Sequence, residues 1–280
     1  MTDKRQRPVR HPIRVLIMPD KKTFRLDLQY DGRYFAGWQK QPDVLTVEGA
    51  LRDAYGRYLS TEVFIDGSGR TDTGVHARHQ IAILKAETRV PAHAIRLGVI
   101  PYLHEGLTVF SAEEVSEDWQ PRPAFMREYR YFLWKGTIVP FFYRPFATPC
   151  QYELDIDSMR AGVAFIPGEK DFSTFRAAGC TANHPIRRVE EVEIVDRGDA
   201  LEFRIVGNAF LRQMVRIMVG TLVQVGRGLM PPEQVGEILE KRDRKLAGPT
   251  LQPQGLFLWR IQLSPEEELA IPPTIWETGL

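Results

Sequence analysis

The sequence is poor in cysteine and contains no long apolar run. Its 280 residues include only two cysteines, Cys150 and Cys180, which are too few for a disulfide framework or a thiolate metal site. No stretch approaches the roughly 18 consecutive apolar residues that span a bilayer, so we expect no membrane contact. Together with the absence of a secretory signal, this cysteine usage predicts a cytoplasmic protein.

The sequence also lacks a phosphate-binding loop and a dense set of metal ligands. No Gly-Lys-Ser/Thr ending follows any of its glycine-rich segments, as a nucleotide-binding P-loop would require. His76, His79 and Asp72 offer only a sparse set of potential ligands. We therefore expect the protein to work without a metal ion and without a cofactor.

Charge is nearly balanced overall but unevenly distributed. The net charge is +1, whereas residues 1–25 alone carry +6. A second stretch, Phe203–Pro232, contains four arginines and no acidic residue. Local basic surfaces can bind phosphate groups even when the whole protein is nearly neutral. The charge pattern thus permits a nucleic-acid partner, although a solvated, disordered tail is an equally good interpretation of residues 1–22.

Hydrophobic periodicity predicts the order β-α-β-β-α-β in residues 23–118. Alternating apolar and polar residues predict strands at Phe24–Tyr30, Glu62–Ile65, Gln80–Ala86 and Leu107–Val115. Apolar residues at helical spacing predict helices at Val47–Leu59 and Pro91–Ile100. Thr46 is a suitable N-cap for the first of these helices.

Residues 119–264 repeat this order of elements. The predicted strands are Glu128–Lys135, Val189–Asp196, Leu201–Val206 and Leu256–Leu263. The predicted helices are Asp157–Ile166, Ala209–Val225 and a short one near Pro232–Lys241. No obvious sequence identity accompanies the repeat.

The predicted fold class is therefore α+β, with two similar halves whose mostly antiparallel sheets carry helices on one face. The basic N-terminal tail (1–22) is followed by the N-terminal half (23–118), the C-terminal half (119–264) and a C-terminal tail (265–280). Two such halves leave a cleft between them, and a cleft of this kind is a common place for an active site.

The segment Gly67–Ala77, with the sequence GSGRTDTGVHA, is the strongest candidate for chemistry. Its glycines allow unusual backbone angles and the close approach of a partner. Arg70 lies two residues before Asp72, so a cation and a carboxylate occur together. An aspartate in a solvated surface turn is the structural alternative.

Arg212 and Arg216 occur in an almost entirely apolar stretch, which we predict to be a helix over Asn208–Val225. Their spacing of four residues predicts that they share one helix face with Asn208. A buried guanidinium needs an anionic partner, and an ordinary intramolecular salt bridge would satisfy it. If the partner is a carboxylate in a cleft, the arginine also favours the ionised form of that carboxylate.

Tyr129 and Tyr131 lie in the predicted strand Glu128–Lys135. Alternate residues of a strand point to the same face, so the two tyrosines share a face and Arg130 lies on the other. Packing in the core is one interpretation of these rings. The other is stacking on a base that has been pulled out of an RNA helix.

Together these segments resemble the tRNA pseudouridine synthase A family. The sequence departs from the family pattern at two places: Thr73 stands where many members have alanine, and the Arg122–Tyr129 stretch is one residue shorter than usual. The tail before Thr23 lies outside the resemblance. The matching motifs follow one another along most of the chain: Tyr30-Asp31-Gly32, Gly37-Trp38-Gln39, Gly69–Ala77, Tyr129-Arg130-Tyr131, Asp171–Arg176, Asn208-Ala209-Phe210, Met214-Val215-Arg216 and Gly220.

The resemblance implies a homodimeric isomerase that converts uridine to pseudouridine at positions 38 to 40 of the tRNA anticodon arm, without metal or cofactor. It implies that Asp72 is the catalytic aspartate and that Arg216 pairs with it. Tyr129 would face the target base, and Arg70 would lie close to the flipped nucleotide. A carboxylate suffices for this redox-neutral reaction, whether it adds to the sugar, adds to the base or removes a proton.

Two other functions fit parts of the sequence. A non-catalytic protein with two RNA-recognition-motif-like modules would share the predicted order of elements, but the characteristic run of glycines and aromatic residues is absent from both halves. A nucleosidase also cleaves a glycosidic bond, but that chemistry usually needs two cooperating carboxylates, whereas the loop offers one.

Overall fold

The computed structural model describes residues 20–268 and 270–278. Most of the predicted N-terminal tail, residues 1–19, lies outside this part of the chain. Among the helices that are described, none combines the length and the apolar character needed to cross a membrane.

The first half of the chain has the predicted order of elements. Thr46 caps α1 as predicted, since its side chain accepts a hydrogen bond from the Gly49 amide, and this satisfies a free N–H at the start of the helix. The elements of this half are β1 (Lys21–Tyr30), α1 (Val47–Leu59), β2 (Val63–Gly67), β3 (His76–Glu87), α2 (Ala92–Gly98) and β4 (Leu107–Val115).

The second half contains the predicted elements and two further short strands. Four strands and three helices correspond to predicted ones, while β6, β7 and the terminal α6 were not foreseen. The elements are β5 (Met126–Lys135), β6 (Thr148–Cys150), α3 (Ile156–Val163), β7 (Gly168–Asp171), β8 (Ile186–Asp196), β9 (Ala200–Gly207), α4 (Met214–Gly226), α5 (Gln234–Lys241), β10 (Leu256–Gln262) and α6 (Ile275–Thr278).

All the described strands belong to one ten-stranded sheet. Its main order is β4-β1-β3-β10-β5-β9-β8-β7, with β2 paired to β3 and β6 paired to β5. The two halves are joined by β10, which pairs in parallel with β3 through Phe257 and Leu258 and antiparallel with β5 along its other edge. The mixed α+β class and the mostly antiparallel pairing are thus confirmed, and the last strand makes one sheet of the two halves.

Helix α4 forms the centre of the core in the second half. Eleven of its 13 residues are buried, as expected for a helix that is apolar on nearly all sides. Gly220 lets a loop pack directly on the helix, because a Cβ at this position would lie 1.9 Å from the carbonyl oxygen of Pro249. Arg216 and Gln224 are the two residues of the helix that are not fully buried.

The prediction that this helix begins near Asn208 is wrong. Helix α4 begins at Met214, and the preceding Gln213 has a left-handed backbone with a φ of 59°, which interrupts any helical path from upstream. Arg212 and Asn208 therefore do not share a helix face with Arg216. Arg212 is exposed and donates to the carbonyl oxygens of Ala178 and Gly179 at 3.3 and 3.4 Å.

A second, smaller hydrophobic cluster contains Phe132, Phe257 and Trp259. The short helix α6 covers part of it, because Trp276 stacks on Phe132 with ring centroids 4.0 Å apart. A salt bridge of 2.7 Å between Arg78 and Glu277 also connects this helix to β3. The aromatic side chains of the central strands are therefore packed inside the protein at this position.

Candidate active site

A cleft of about 890 Å³ is lined by residues from both halves of the chain. This volume lies within the range of typical ligand sites. The four candidate residues, Arg70, Asp72, Tyr129 and Arg216, all line it. The sequence-based prediction of a cleft shared by two halves therefore agrees with the structure, and the cleft brings the candidates together. The other segments of its wall include residues 36–41, 179–182 and 209–215.

The loop that carries Asp72 connects β2 to β3, and the residues just before Asp72 are held by hydrogen bonds. Gln80, fully buried on β3, accepts a hydrogen bond from the Gly69 amide at 3.2 Å and donates to the Gly69 carbonyl at 2.8 Å. The Trp38 amide donates to the Thr71 carbonyl at 3.1 Å, and the hydroxyls of Tyr30 and Thr71 are 2.8 Å apart. The loop is thus held in place by the protein before any ligand binds.

Gly37 and Gly67 allow this close packing around the loop. Gly37 has a positive φ of 91°, and a Cβ at this position would lie 2.8 Å from the carbonyl oxygen of Thr71. A Cβ at Gly67 would lie 2.3 Å from the ring of Trp38. A larger residue at either position would displace the segment that hydrogen-bonds to the Asp72 loop.

Asp72 and Arg216 form an ion pair in the cleft. The distance from the Arg216 Nη1 to the Asp72 Oδ2 is 3.6 Å, and the two side chains are 11% and 27% exposed, respectively. Burial raises the pKa of the Asp72 carboxyl, while the positive charges of Arg216 and then Arg212 act in the opposite direction. The predicted partnership is present, and burial has the larger effect on this carboxyl.

The guanidinium of Arg216 is oriented by a second contact. Its Nε donates to the carbonyl oxygen of Leu251 at 2.7 Å, in the segment that leads to β10. Burial lowers the pKa of Arg216, and the charge of Asp72 raises it. Since one side of the guanidinium is bound to the backbone, the other side is directed to Asp72.

Tyr129 and Tyr131 lie on the same face of β5 but have different surroundings. The Tyr131 hydroxyl lies 2.6 Å from the Thr148 hydroxyl and donates to the Gln252 carbonyl at 2.9 Å, so this ring belongs to the core. Tyr129 lines the cleft and packs edge-on against Phe210 at a centroid distance of 5.1 Å. Burial raises the pKa of Tyr129 to about 12. The Tyr129 hydroxyl forms no hydrogen bond with any described residue.

Tyr129→Phe keeps the ring and removes only this hydroxyl, so it separates stacking from proton transfer. If Tyr129 contributes a ring alone, turnover should remain within about threefold of wild type. We expect this result, because a hydroxyl with a pKa of about 12 is a poor base near neutral pH. Single-turnover rates and tRNA affinity provide the test. A loss of ~10²–10⁴-fold in rate at unchanged affinity would instead assign a proton-transfer role to the hydroxyl.

Arg70 lies at the exposed edge of the cleft. Its side chain makes no ion pair or hydrogen bond with the residues that the structure describes. It is therefore available to a ligand, in contrast to Arg216, which is bound to Asp72 and to Leu251.

His76 and His79, two of the potential metal ligands in the sequence, contact other residues of the protein. His79 lies 3.0 Å from Asp27 and accepts a hydrogen bond from the Ile261 amide. His76 accepts a hydrogen bond from the Gly32 amide and contacts the Pro145 carbonyl. Both rings are buried, and these contacts connect distant segments of the chain.

Sequence reasoning missed two residues that shape the cleft, Gln80 and Arg127. Arg127 donates to the carbonyl oxygens of Asn208 at 2.6 Å and Ser68 at 2.8 Å, so it connects the Asp72 loop to the segment before α4. Strand alternation could have revealed Arg127, because it lies two residues before Tyr129 and shares its face. No sequence signal distinguishes Gln80, whose partner is the backbone of a glycine.

Comparison with known proteins identifies the family of the chain. A family model described as tRNA pseudouridine synthase matches residues 164–263. The tRNA pseudouridine synthase A of Geobacter sulfurreducens is 40% identical over 242 residues, which cover 86% of this chain and 99% of that protein. The proteins of the same name from Pelobacter propionicus and Bordetella avium are 38% and 39% identical, over 85% and 83% of this chain and 98% and 88% of theirs. By identity at this level over nearly the whole of these relatives, the chain belongs to the tRNA pseudouridine synthase A family.

Proposed function

We propose that this protein isomerises uridine to pseudouridine at positions 38 to 40 of the tRNA anticodon arm, with Asp72 as its catalytic carboxylate. The observation that carries the proposal is the Asp72–Arg216 pair at 3.6 Å. It combines a carboxylate on a fixed loop of one half with a guanidinium on a helix of the other half, inside a cleft of ligand size.

The chemistry of the reaction fits a single carboxylate. The bond between C1′ of the ribose and N1 of uracil breaks, the base turns, and a new bond forms from C1′ to C5 while the C5 proton is lost and N1 is protonated. Asp72 is the only acidic residue among the described residues that line the cleft. It can add to the sugar, add to the base or remove a proton, and each of these roles needs the ionised form.

The single carboxylate also favours an isomerase over a nucleosidase. Hydrolysis of a glycosidic bond usually uses one carboxyl group as the acid and a second as the base or nucleophile. Since the described wall of the cleft offers Asp72 alone, water-dependent hydrolysis lacks its second group.

The target base must leave the anticodon stem before Asp72 can reach it, at a cost of a few kcal/mol. Tyr129 provides a ring at the wall of the cleft, and stacking on such a ring is worth ~1–3 kcal/mol per base. We assign Arg70, which is exposed at the edge beside Asp72, to contact with the flipped nucleotide. We include a homodimer in the proposal on the basis of the family resemblance, and sedimentation equilibrium tests it. We include a cytoplasmic location on the basis of the cysteine usage.

The direct test is to incubate the purified protein with unmodified tRNA transcripts and to map pseudouridine along them. We expect product at positions 38, 39 or 40, and none in matched transcripts that carry cytidine there. Free uracil among the products would favour the nucleosidase. Tight binding without any product would favour the non-catalytic RNA-binding protein.

Removal of divalent metal ions from the protein is expected to leave the turnover rate unchanged. The proposed reaction changes no oxidation state, and a carboxylate supplies its chemistry. The measurement compares protein dialysed against EDTA with untreated protein, using tRNA that is folded beforehand and whose fold is monitored separately. A loss of turnover that only added metal restores would contradict this prediction.

A further inference from the structure

Two arginines line the cleft near Tyr129, and a third lies close to one of them. Arg127 on β5 is paired with Gly207 on β9, and Gly207 is paired with Val189 on β8. Directly paired residues share one face of a sheet, and so do residues two apart on a strand. Arg187, two residues before Val189, therefore lies on the same face as Arg127.

Arg122 reaches the same place from the segment that precedes β5. Its Nε donates to the carbonyl oxygen of Gly67 at 2.8 Å, next to Ser68, whose carbonyl oxygen accepts from Arg127. Arg122 and Arg127 both line the cleft. We call Arg122, Arg127 and Arg187 the arginine cluster.

The arginine cluster has little negative charge to compensate it. Within the described residues, Arg127 and Arg187 form no ion pair with a carboxylate. The Nη1 of Arg187 donates to the carbonyl oxygens of Ile186 at 2.6 Å and His184 at 2.9 Å, and its buried Nε has no partner. Arg122 pairs with Asp66 at 3.2 Å, but both side chains are about 40% exposed, and ion pairs this exposed contribute little.

The charges of Arg122 and Arg187 are close enough to act on Arg127. Burial lowers the pKa of Arg127, Tyr129 acts in the opposite direction, and the positive charges of Arg122 and Arg187 add to the effect of burial. Burial likewise lowers the pKa of Arg187. Like charges this close, partly removed from water, disfavour the free protein, and an anion bound among them would relieve that repulsion.

We propose that the arginine cluster binds a backbone phosphodiester of the RNA strand that carries the target uridine, an inference that rests on the proposed function. Guanidinium groups suit this ligand, because their planar N–H donors match phosphate oxygens in pairs. Arg127 uses two of its five N–H donors on backbone carbonyls, so others remain. Arg127 lies ~6.6 Å along the strand from Tyr129, so the bound phosphate adjoins the nucleotide whose base packs on Tyr129.

Arg187→Gln tests the arginine cluster with less risk to the fold than a change of Arg127, which also holds the Asp72 loop. Arg188→Gln is the matched control: it makes the same change of charge one residue away, on the opposite face of the strand, where Arg188 is exposed and pairs with Glu190 at 2.5 Å. Arg122→Gln is a second variant of the cluster. Circular dichroism and thermal unfolding establish that each variant is folded.

For Arg187→Gln and Arg122→Gln we expect KM for tRNA to rise about tenfold and the slope of log Kd against log salt to become shallower by about 1. For Arg187→Gln, kcat should fall by a smaller factor than the rise in KM, because a phosphodiester contact holds the strand and does not touch the bond from C1′ to N1 that breaks. Arg188→Gln should stay within twofold of wild type in KM and keep the wild-type slope.

Equal KM and equal salt slope for Arg187→Gln and Arg188→Gln would overturn the phosphate site. A large fall in kcat at unchanged KM would also overturn it, and would assign these arginines to the chemistry. The proposed function has its own measurement, since pseudouridine formation by the wild type does not depend on these variants. Because the salt slope is measured by binding alone, it tests the phosphate site even if no pseudouridine forms.

Discussion

Asp72→Asn is expected to abolish pseudouridine formation while leaving tRNA binding nearly unchanged. The amide has the size and shape of the carboxylate, so the loop held by Gln80 and Trp38 should keep its position. It can neither add to carbon as an anion nor accept a proton, so every role open to the carboxylate is lost. We expect single-turnover rates to fall by at least ~10⁴-fold, as for other enzymes that lose a residue essential to the chemistry.

The measurement pairs single-turnover assays on a tRNA transcript with direct binding of the same transcript. Asp53→Asn, a change of the same kind at an exposed position of α1, serves as the control and should behave as wild type. Wild-type turnover by Asp72→Asn would show that this loop does not carry the chemistry. Loss of both turnover and binding would show that the substitution disturbs the cleft itself.

The sequence predicted elements well where local signals agree with packing. Helix α1 has its predicted bounds because Thr46 provides a true N-cap. Its apolar residues, at helical spacing, also form one buried face. The start of α4 was predicted too early because Leu211, although it lies in a loop, is buried like a residue of the helix. Its apolar character extended the helical pattern over residues that the left-handed Gln213 separates from the helix.

The single sheet is a long-range property that local patterns do not contain. Strand β10 pairs with β3 through Phe257 and His76, residues that are far apart in the sequence, and only the folded chain defines such a neighbour. The candidate pair could be identified from the sequence alone, since a buried arginine requires an anion and the glycine-rich loop contains Asp72. Gln80 was not accessible, because a buried amide that binds backbone has no distinctive sequence pattern.

Arg216→Met is expected to make activity rise with pH while stability falls. Burial already raises the pKa of Asp72, and Arg216 is the main charge that opposes this. Without the guanidinium the pKa of Asp72 rises further, so at a given pH a larger part of the protein holds a protonated, inactive carboxyl. Activity should therefore recover partly as pH rises and the carboxyl ionises.

The stability of the Arg216→Met variant should fall as pH rises, which is opposite to the trend in its activity. A carboxyl whose pKa is higher in the folded than in the unfolded protein binds more protons when folded, in the pH range between the two values. The free energy of unfolding therefore falls as pH rises through that range. We also expect an overall loss of ~1–3 kcal/mol, below the ~3–5 kcal/mol for breaking a fully buried pair, because water reaches the partly exposed Asp72.

Two further variants identify Asp72 as the titrating group. The double variant Asp72→Asn, Arg216→Met has no carboxyl to titrate at this position, so it should lose both pH trends. Its activity should be no lower than that of Asp72→Asn alone, as for two residues that serve one catalytic task. Chemical denaturation at each pH measures stability, and single-turnover assays measure activity. If Arg216→Met is fully active at every pH, the ion pair contributes to structure alone, and another group must keep Asp72 ionised.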